Sequence, residues 1–430
     1  MALEKIREIV SGDGWSTAKT TQSFQTLRSA NQRTIQNAIF PLQNYNHEKE
    51  IAAYIAFSNG GKMERYLGKP RNSVAANSGY RISQGMMTWE EEYVLNRDDL
   101  EYIESMENAL AEMTLGTKIA MGQGLLGDRL NNILEYMCMD TILTGGTQGV
   151  TYPVSNHYRL DLNSSASSGY TYTNSIMSSY KWTPGGLWTD LDASEPLKDM
   201  SNMLRFFEKI SGNKVQKIYV APDVAHYLRL NSDIWDRFGK LSNTFGGVMD
   251  LMALSNLVPW LPPIEEYAGT YVSATTTVAT AASATDTSLV VSDYTNIEDG
   301  DVLVITEKST GRVITTEITA TVSSVTLTVD ALTDAVSAGS VVEVMKNFMP
   351  NGHIIFQLGT PSMQKIATVP TIMNGGMNSP QPGPYSMVDM SVYNSDPWVK
   401  VVAGAKAAPV VFRAGGFAAA RVTDGTNYYI

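Results

Sequence analysis

Gly122, Gly124 and Gly127 spell GxGxxG, the spacing with which a strand-to-helix turn lets backbone amides approach the pyrophosphate of a dinucleotide. That chemistry needs a preceding strand and an acidic residue closing a second strand about 20 residues later. Here helical sequence lies on both sides, and the later acid, Asp140, falls inside a helix pattern. The glycines therefore read as a bend or a site of close helix packing. His47, His157, His226 and His353 are far apart and form no HxxxH or HExxH pair, so a zinc site is not expected. Cys138 is the only cysteine, which excludes an intrachain disulfide and a cysteine metal cluster. Asp299, Gly300 and Asp301 suit either part of a calcium loop or a DG turn between strands, and the turn is the simpler reading. No GxSxG elbow, P-loop or Cys/His pairing occurs. Nothing converges on a catalytic centre, and no enzyme, cofactor or metal is expected.

Charge is the stronger signal. Between residues 61 and 85, Lys62, Arg65, Lys69, Arg71 and Arg81 stand against Glu64, a net of +4. Residues 90–107 follow with Glu90, Glu91, Glu92, Asp98, Asp99, Glu101, Glu104 and Glu107 against Arg97, a net of −7. A basic finger thus precedes an acidic band. Such runs are commonly solvated faces. The sharper alternative is an intersubunit contact in which the finger of one chain reaches the band of another.

The elements that would hold these charges follow from periodicity. Residues 58–94 read as two extended runs around a middle containing Pro, Asn and Gly, a long hairpin or protruding loop. Ile103, Met106, Leu110 and Met113 give the acidic band an apolar helical face. The stretch 125–143, LLGDRLNNILEYMCMDTIL, predicts a long amphipathic helix: Leu126, Leu130, Ile133, Leu134 and Met137 form its dry side, with Asp128, Asn131, Asn132 and Glu135 opposite and wet. Ahead of the finger, residues 1–57 mix short helical patches with Ser/Thr/Gln-rich stretches, an arm stabilised by what it lies on. After the helix, a Ser/Tyr-rich stretch leads to a helix capped by Ser194, a strand at 217–221 and a second helix at 224–238. This order describes an α+β body.

Residues 273–345 differ from the rest. TDTSLVVSDY, EDGDVLVITE, GRVITTEITATV and SVTLTVD alternate apolar and polar residues, predicting an all-β module of five or six short strands. It holds ten acidic residues against Lys308 and Arg312, a net of −8 within a chain of net −11, so the remainder is nearly neutral. Body-like sequence resumes at NFMPNGHIIFQLG as though continuing EEYAGTY, and the module reads as an insertion in a surface loop. The domains are thus 1–57 (arm), 58–94 (extended loop), 95–272 with 346–430 (body) and 273–345 (insert). Beyond the insert, a Gly/Pro loop precedes strands at 398–403 and 410–412.

Across 430 residues the charged fraction is 17%, against about 25% in ordinary soluble domains. Either much surface is hidden against other subunits or the surface is Ser/Thr-rich and polar. The opening MALEKIREIVSGDGW does not suit a signal peptide, and no run of about 18 apolar residues occurs, so the expectation is a cytosolic product with no membrane partner. The body lacks the basic patch that drives phosphate binding.

The order of basic hairpin, acidic band, long helix, Ser/Tyr-rich loop, βα units and Gly/Pro loop resembles the major capsid proteins of tailed bacteriophages, with their Hong Kong ninety-seven type fold. LVPWLPPIEEYAGTY followed by FMPNGHIIFQLG is similar to a strand pair of that family, and DPWVKVVAGAKAAPVVF resembles its closing segment. The resemblance covers most of 45–430 apart from the insert. It implies an N-terminal arm (1–45), an extended loop (58–94), a peripheral domain with its spine helix (117–144), and an axial domain. It also implies hexamers and pentamers enclosing double-stranded DNA without sequence-specific binding, in a virion assembled in the host cytoplasm. A separate scaffolding protein, a portal and a possible decoration protein would be its partners. Two rival expectations are an encapsulin-like compartment shell and an adhesin or tail protein that binds surfaces through the β module.

Overall fold

The structure, a computed structural model, describes residues 4–11, 17–30, 34–44, 50–56, 79–85, 87–144, 186–211, 213–236, 251–359, 364–369, 383–391, 397–411, 417–423 and 426–429. It divides into two compact units, one formed by Met1–Tyr267 with Gly352–Ile430 and the other by Ala268–Asn351.

The first unit is α+β and is built along one helix. Arm helices α1 (Glu4–Ser11), α2 (Thr17–Ala30) and α3 (Thr34–Ala38) precede strands β1 (Leu42–Asn44), β2 (Glu50–Ala56), β3 (Gly79–Gly85) and β4 (Met87–Leu95). Helix α4 (Arg97–Glu104) then leads into α5 (Asn108–Thr144), which has 37 residues and is about 55 Å long. The expected helix at 125–143 is thus only its second half. The GxGxxG glycines lie within it, and a Cβ at Gly122 would come 2.5 Å from the Tyr93 ring. Gly122 therefore belongs to close packing rather than to a phosphate turn.

The buried side of α5 includes Leu115, Ile119, Leu126, Leu130, Leu134 and Met137. Two details of the expected pattern change. Asn131 and Glu135, assigned to the wet side, are fully buried, because the arm covers them. Leu110 and Met113, assigned to the apolar face of the acidic band, are exposed. Ile103 is buried as expected, but the chain breaks between α4 and α5 at 105–107, so the helix phase restarts and Leu100 and Ala111 join it on the inward side.

Two sheets flank this axis. In one, β16 (Trp398–Val411) pairs antiparallel with β14 (Gln364–Val369), β15 (Tyr385–Ser391) and β4, and β1 adds parallel to β14. The two strands expected at 398–403 and 410–412 are one strand of 14 residues, in which Pro409 is tolerated opposite Ile366. The second sheet has the order β18 (Thr426–Tyr429), β17 (Phe417–Arg421), β13 (His353–Gln357), β5 (Lys217–Val220), β6 (Ile264–Glu266). All five residues of β13 are buried, as befits a central strand.

Helices α6 (Pro196–Ser211), α7 (Pro222–Leu230) and α8 (Leu251–Leu257) belong to the same unit. Helix α6 starts at Pro196 rather than on a Ser194 cap, and the Ser194 hydroxyl accepts from Asn231 Nδ2 at 2.9 Å. Asn231 also ends α7, eight residues short of the expected 238. Its Oδ1 accepts from the Ile234 amide at 3.2 Å and caps a new turn.

The second unit is all-β. Strands β7 (Thr270–Thr280), β8 (Ser288–Val291), β9 (Val302–Thr306), β10 (Val313–Glu317), β11 (Thr326–Thr328) and β12 (Val341–Asn347) form one sheet in the order β10-β9-β12-β7-β8-β11. An Ile318↔Val329 bridge joins its edges, with Thr319 N donating to Thr328 O (3.0 Å) and Asp330 N to Glu317 O (2.9 Å). The sheet therefore closes into a small barrel with little free edge. Its core is aliphatic, including Leu289, Leu303, Ile305, Ile314, Leu327, Val342 and Val344. The module begins and ends on paired residues, Thr270↔Asn347, so its boundaries lie a few residues outside 273–345 and its two ends are adjacent. At Asp299-Gly300-Asp301 the chain makes a turn with Gly300 at φ 83°, and Lys346 Nζ lies 3.1 Å from Glu298 and 3.6 Å from Asp301. Among the described residues no group of three or more His, Cys, Asp or Glu side chains is placed to hold a metal. Among the same residues no helix is long and apolar enough to cross a membrane.

Candidate subunit-contact surface

The acidic band spans three elements. Glu90, Glu91 and Glu92 lie on β4, opposite Gly404, Ala403 and Val402 of β16, and all three are exposed. Trp89, one residue earlier, is buried and its backbone lies against Gly404, where a Cβ would meet the Trp89 carbonyl at 2.3 Å. The glycine lets the strands approach and fixes the run of glutamates at the surface. Asp98, Asp99, Glu101 and Glu104 lie on α4, whose buried Leu100 and Ile103 hold it to the body.

Most of these carboxylates already have partners. Glu90 accepts from the Tyr385 hydroxyl at 3.0 Å, and burial, reinforced by the Glu90 charge, pushes that hydroxyl's pKa well above its ordinary value. Glu91 pairs with Arg129 (3.1 Å), Glu92 with Lys400 (3.0 Å), Asp99 with Lys118 (3.4 Å) and Glu101 with Arg97 (2.7 Å). Glu104 accepts the Ile6 amide at 3.3 Å, tying α1 to α4. Asp98 forms no ion pair among the described residues. The Glu91, Asp99 and Glu101 pairs are solvent-exposed, and such pairs are worth about 0 to 1 kcal/mol each. They can be exchanged for another partner at little cost.

Of the basic finger, Arg81 lies on β3, in register with Tyr54 of β2. Lys62, Arg65, Lys69 and Arg71 lie outside the described residues. Among the described residues, strands β2 and β3 pair only with each other, as a two-stranded ribbon.

The arm is the contact that sequence reasoning left without anchor residues. Thr20 and Thr21 hydroxyls donate to Ser386 O on β15 (3.0 and 2.9 Å), and Gln25 Nε2 donates to Pro384 O (2.7 Å). Gln123 of α5 donates to Thr20 O (3.1 Å) and Ser386 Oγ (3.2 Å). The buried Glu135 carboxylate accepts the Ile35 and Gln36 amides, each at 2.9 Å, and the Tyr267 hydroxyl at 2.6 Å. Glu135 thus supplies the acceptors for the free amides at the start of α3. A lone Glu within a helical period gives no hint of this, because its partner amides lie 99 and 100 residues away.

No protein-family model matches the chain, and no curated protein matches it. Among solved structures it is similar to a phage-related protein from Bordetella bronchiseptica RB50, at 8% identity and a TM-score of 0.46, over 94% of this chain and 97% of that one. It is also similar to the putative capsid protein of a prophage of E. coli CFT073, at 11% identity and a TM-score of 0.42, over 98% and 99% of the two chains. A third likeness is to the capsid of Myoviridae phage XM1, at 10% identity and a TM-score of 0.39, over 88% of each.

Proposed function

We propose that this chain is a structural major capsid protein without catalytic activity, whose copies form hexamers and pentamers of an icosahedral head around double-stranded DNA. The observation that carries the reading is the β2–β3 ribbon. A ribbon of seven-residue strands with no third strand among the described residues is marginal by itself in water. It also carries the most basic segment of a weakly charged chain. In a chain whose order of elements resembles phage capsid proteins, such a ribbon is an arm made to lie on a neighbour. The contact residues are Lys62, Arg65, Lys69, Arg71 and Arg81 on one chain and the acidic band of the next. Charge reversal at Arg71 and Arg81 is expected to impair assembly and flatten its salt dependence, followed by light scattering across ionic strengths. Assembly with an unaltered salt response would count against the contact.

The charge map supports a container. A nearly neutral body can enclose DNA without gripping it, which suits a shell that must release its contents. The acidic module belongs on the outer surface, where it would aid solubility, capsomer contacts or host-surface interaction. A density map of the particle with the module on the DNA side would refute that placement. A separate scaffolding protein and a portal are the partners that go with this role, and a decoration protein is an optional third.

A further inference from the structure

One end of the β module holds a lysine and two carboxylates together. Strand register sets the first two opposite each other: β12 and β9 pair Val344 with Leu303 and Met345 with Val302, and the next positions along are Lys346 and Asp301. Alternation then gives their direction. Leu303 and Ile305 on β9 are buried in the barrel, and Asp301 continues that phase; Val342 and Val344 on β12 are buried, and Lys346 continues theirs. Both side chains are therefore placed at the end of an apolar core, the lysine 17% and the aspartate 10% exposed. Ile318, whose amide donates to the Asp301 carbonyl at 3.0 Å, is buried, as is Ile297.

Lys346 Nζ lies 3.6 Å from Asp301 Oδ2 and 3.1 Å from Glu298 Oε2. The two carboxyl groups differ in surroundings. Asp301 Oδ2 accepts the Glu298 amide at 2.7 Å, which fixes the group beneath the turn, and burial pushes its pKa above the ordinary value, toward the neutral acid that a nucleophile can attack. The Glu298 side chain is 75% exposed and meets water at the rim. One buried and one wet carboxyl group around a single amine is an arrangement in which one can react while the other moves protons.

We infer that Lys346 and Asp301 join in an isopeptide bond inside the β module, with Glu298 carrying the proton. The ammonium first gives a proton to Asp301, leaving a neutral amine beside a neutral acid. Nζ attacks Cγ and the N–C bond forms. Glu298 takes a proton from the attached nitrogen and passes it to the hydroxyl of the tetrahedral carbon, whose C–O bond breaks to release water. The sum is ammonium plus carboxylate giving amide plus water, so no oxidant or further reactant takes part. Holding the groups at this separation replaces a bimolecular encounter with a single internal step. The chain acts on itself once, and the bond ties β12 to the start of β9.

Denaturing mass spectrometry of the full chain is the test. The folded parent is expected one water below its sequence mass, and its protease digest is expected to contain a branched peptide joining Lys346 to Asp301. The neighbouring Asp299-Gly300 pair loses water too if it closes to a succinimide, so a variant separates the two sources. Lys346→Arg keeps the positive charge and is expected to fold, by circular dichroism, and to show its full sequence mass. Glu298→Gln is expected to lose water about a hundredfold more slowly after synthesis. An aged, folded parent at its full sequence mass overturns the inference, as does a water loss without the branched peptide or one that survives Lys346→Arg. Equal rates in Glu298→Gln and the parent overturn the part given to Glu298.

Discussion

Glu135 and Glu307 show what a single carboxylate does in this fold. Glu135 is fully buried and receives two arm amides and a tyrosine hydroxyl. Hydrogen bonds to a charged group contribute about 1.5 to 3 kcal/mol each. Glu135→Gln is expected to lower unfolding stability by about 2 kcal/mol and to speed proteolysis within the first 40 residues. A normal denaturation midpoint with an equally protected arm would remove Glu135 from this role. Glu307, in the β module, accepts from the Ser337, Ser309 and Thr310 hydroxyls and from the Ser309 and Thr310 amides, which hold its pKa down at about 2 from an ordinary 4.5. A depressed carboxylate stabilises the folded state above its unfolded pKa, and this contribution fades as pH falls from about 4.5 toward 2. Thermal melts of Glu307→Gln between pH 5 and pH 2, an interval set by those two values, are expected to show a shallower loss of stability than the parent. Neither role was readable in sequence. The period of 3.6 residues says which way Glu135 points but not that the arm covers it. The Glu307 partners at 309 and 310 are local, yet Ser337 arrives through the barrel.

Among the elements, α5 was legible in kind and misread in extent. Its strongest apolar repeat lies at 125–143, and that half was placed correctly. The first half was obscured by Gly116, Gly122, Gly124 and Gly127, which weaken a helix reading although this helix runs through them. The acidic band shows a different failure. Charge identifies its residues, but the band crosses a strand, a helix and a junction, because local charge carries no information on β4 pairing with β16 over 300 residues later. Gly124→Ala provides a test at this scale. Filling empty space and removing an interior glycine is expected to stabilise the isolated chain by about 0.5 to 1 kcal/mol. The gain is read as a higher melting temperature of the dissociated chain. A variant that melts at or below the parent temperature would contradict this reading of Gly124.

At the scale of the molecule, the division into body and module was the most readable feature. It rests on a change of period from helical to alternating and on a charge of −8 concentrated in one segment. The barrel has its own aliphatic core and adjacent ends, so Ala268–Asn351 expressed alone is expected to melt in one cooperative transition by circular dichroism. A non-cooperative profile would make the module dependent on the body. What the sequence could not show is closure of the sheet, since the bridge between Ile318 and Val329 joins two short edges that look unremarkable in isolation. The body presents the complementary case: among the described residues the β2–β3 ribbon has no third strand and α5 leaves Met113 and Met121 exposed, features that many copies would complete together. Electron microscopy of the purified chain over a range of salt and protein concentrations tests this most directly. Closed shells, or rings of five and six subunits, that form and dissolve with ionic strength are the expected result. A chain that stays monomeric at every concentration, with its melting behaviour intact, would contradict it.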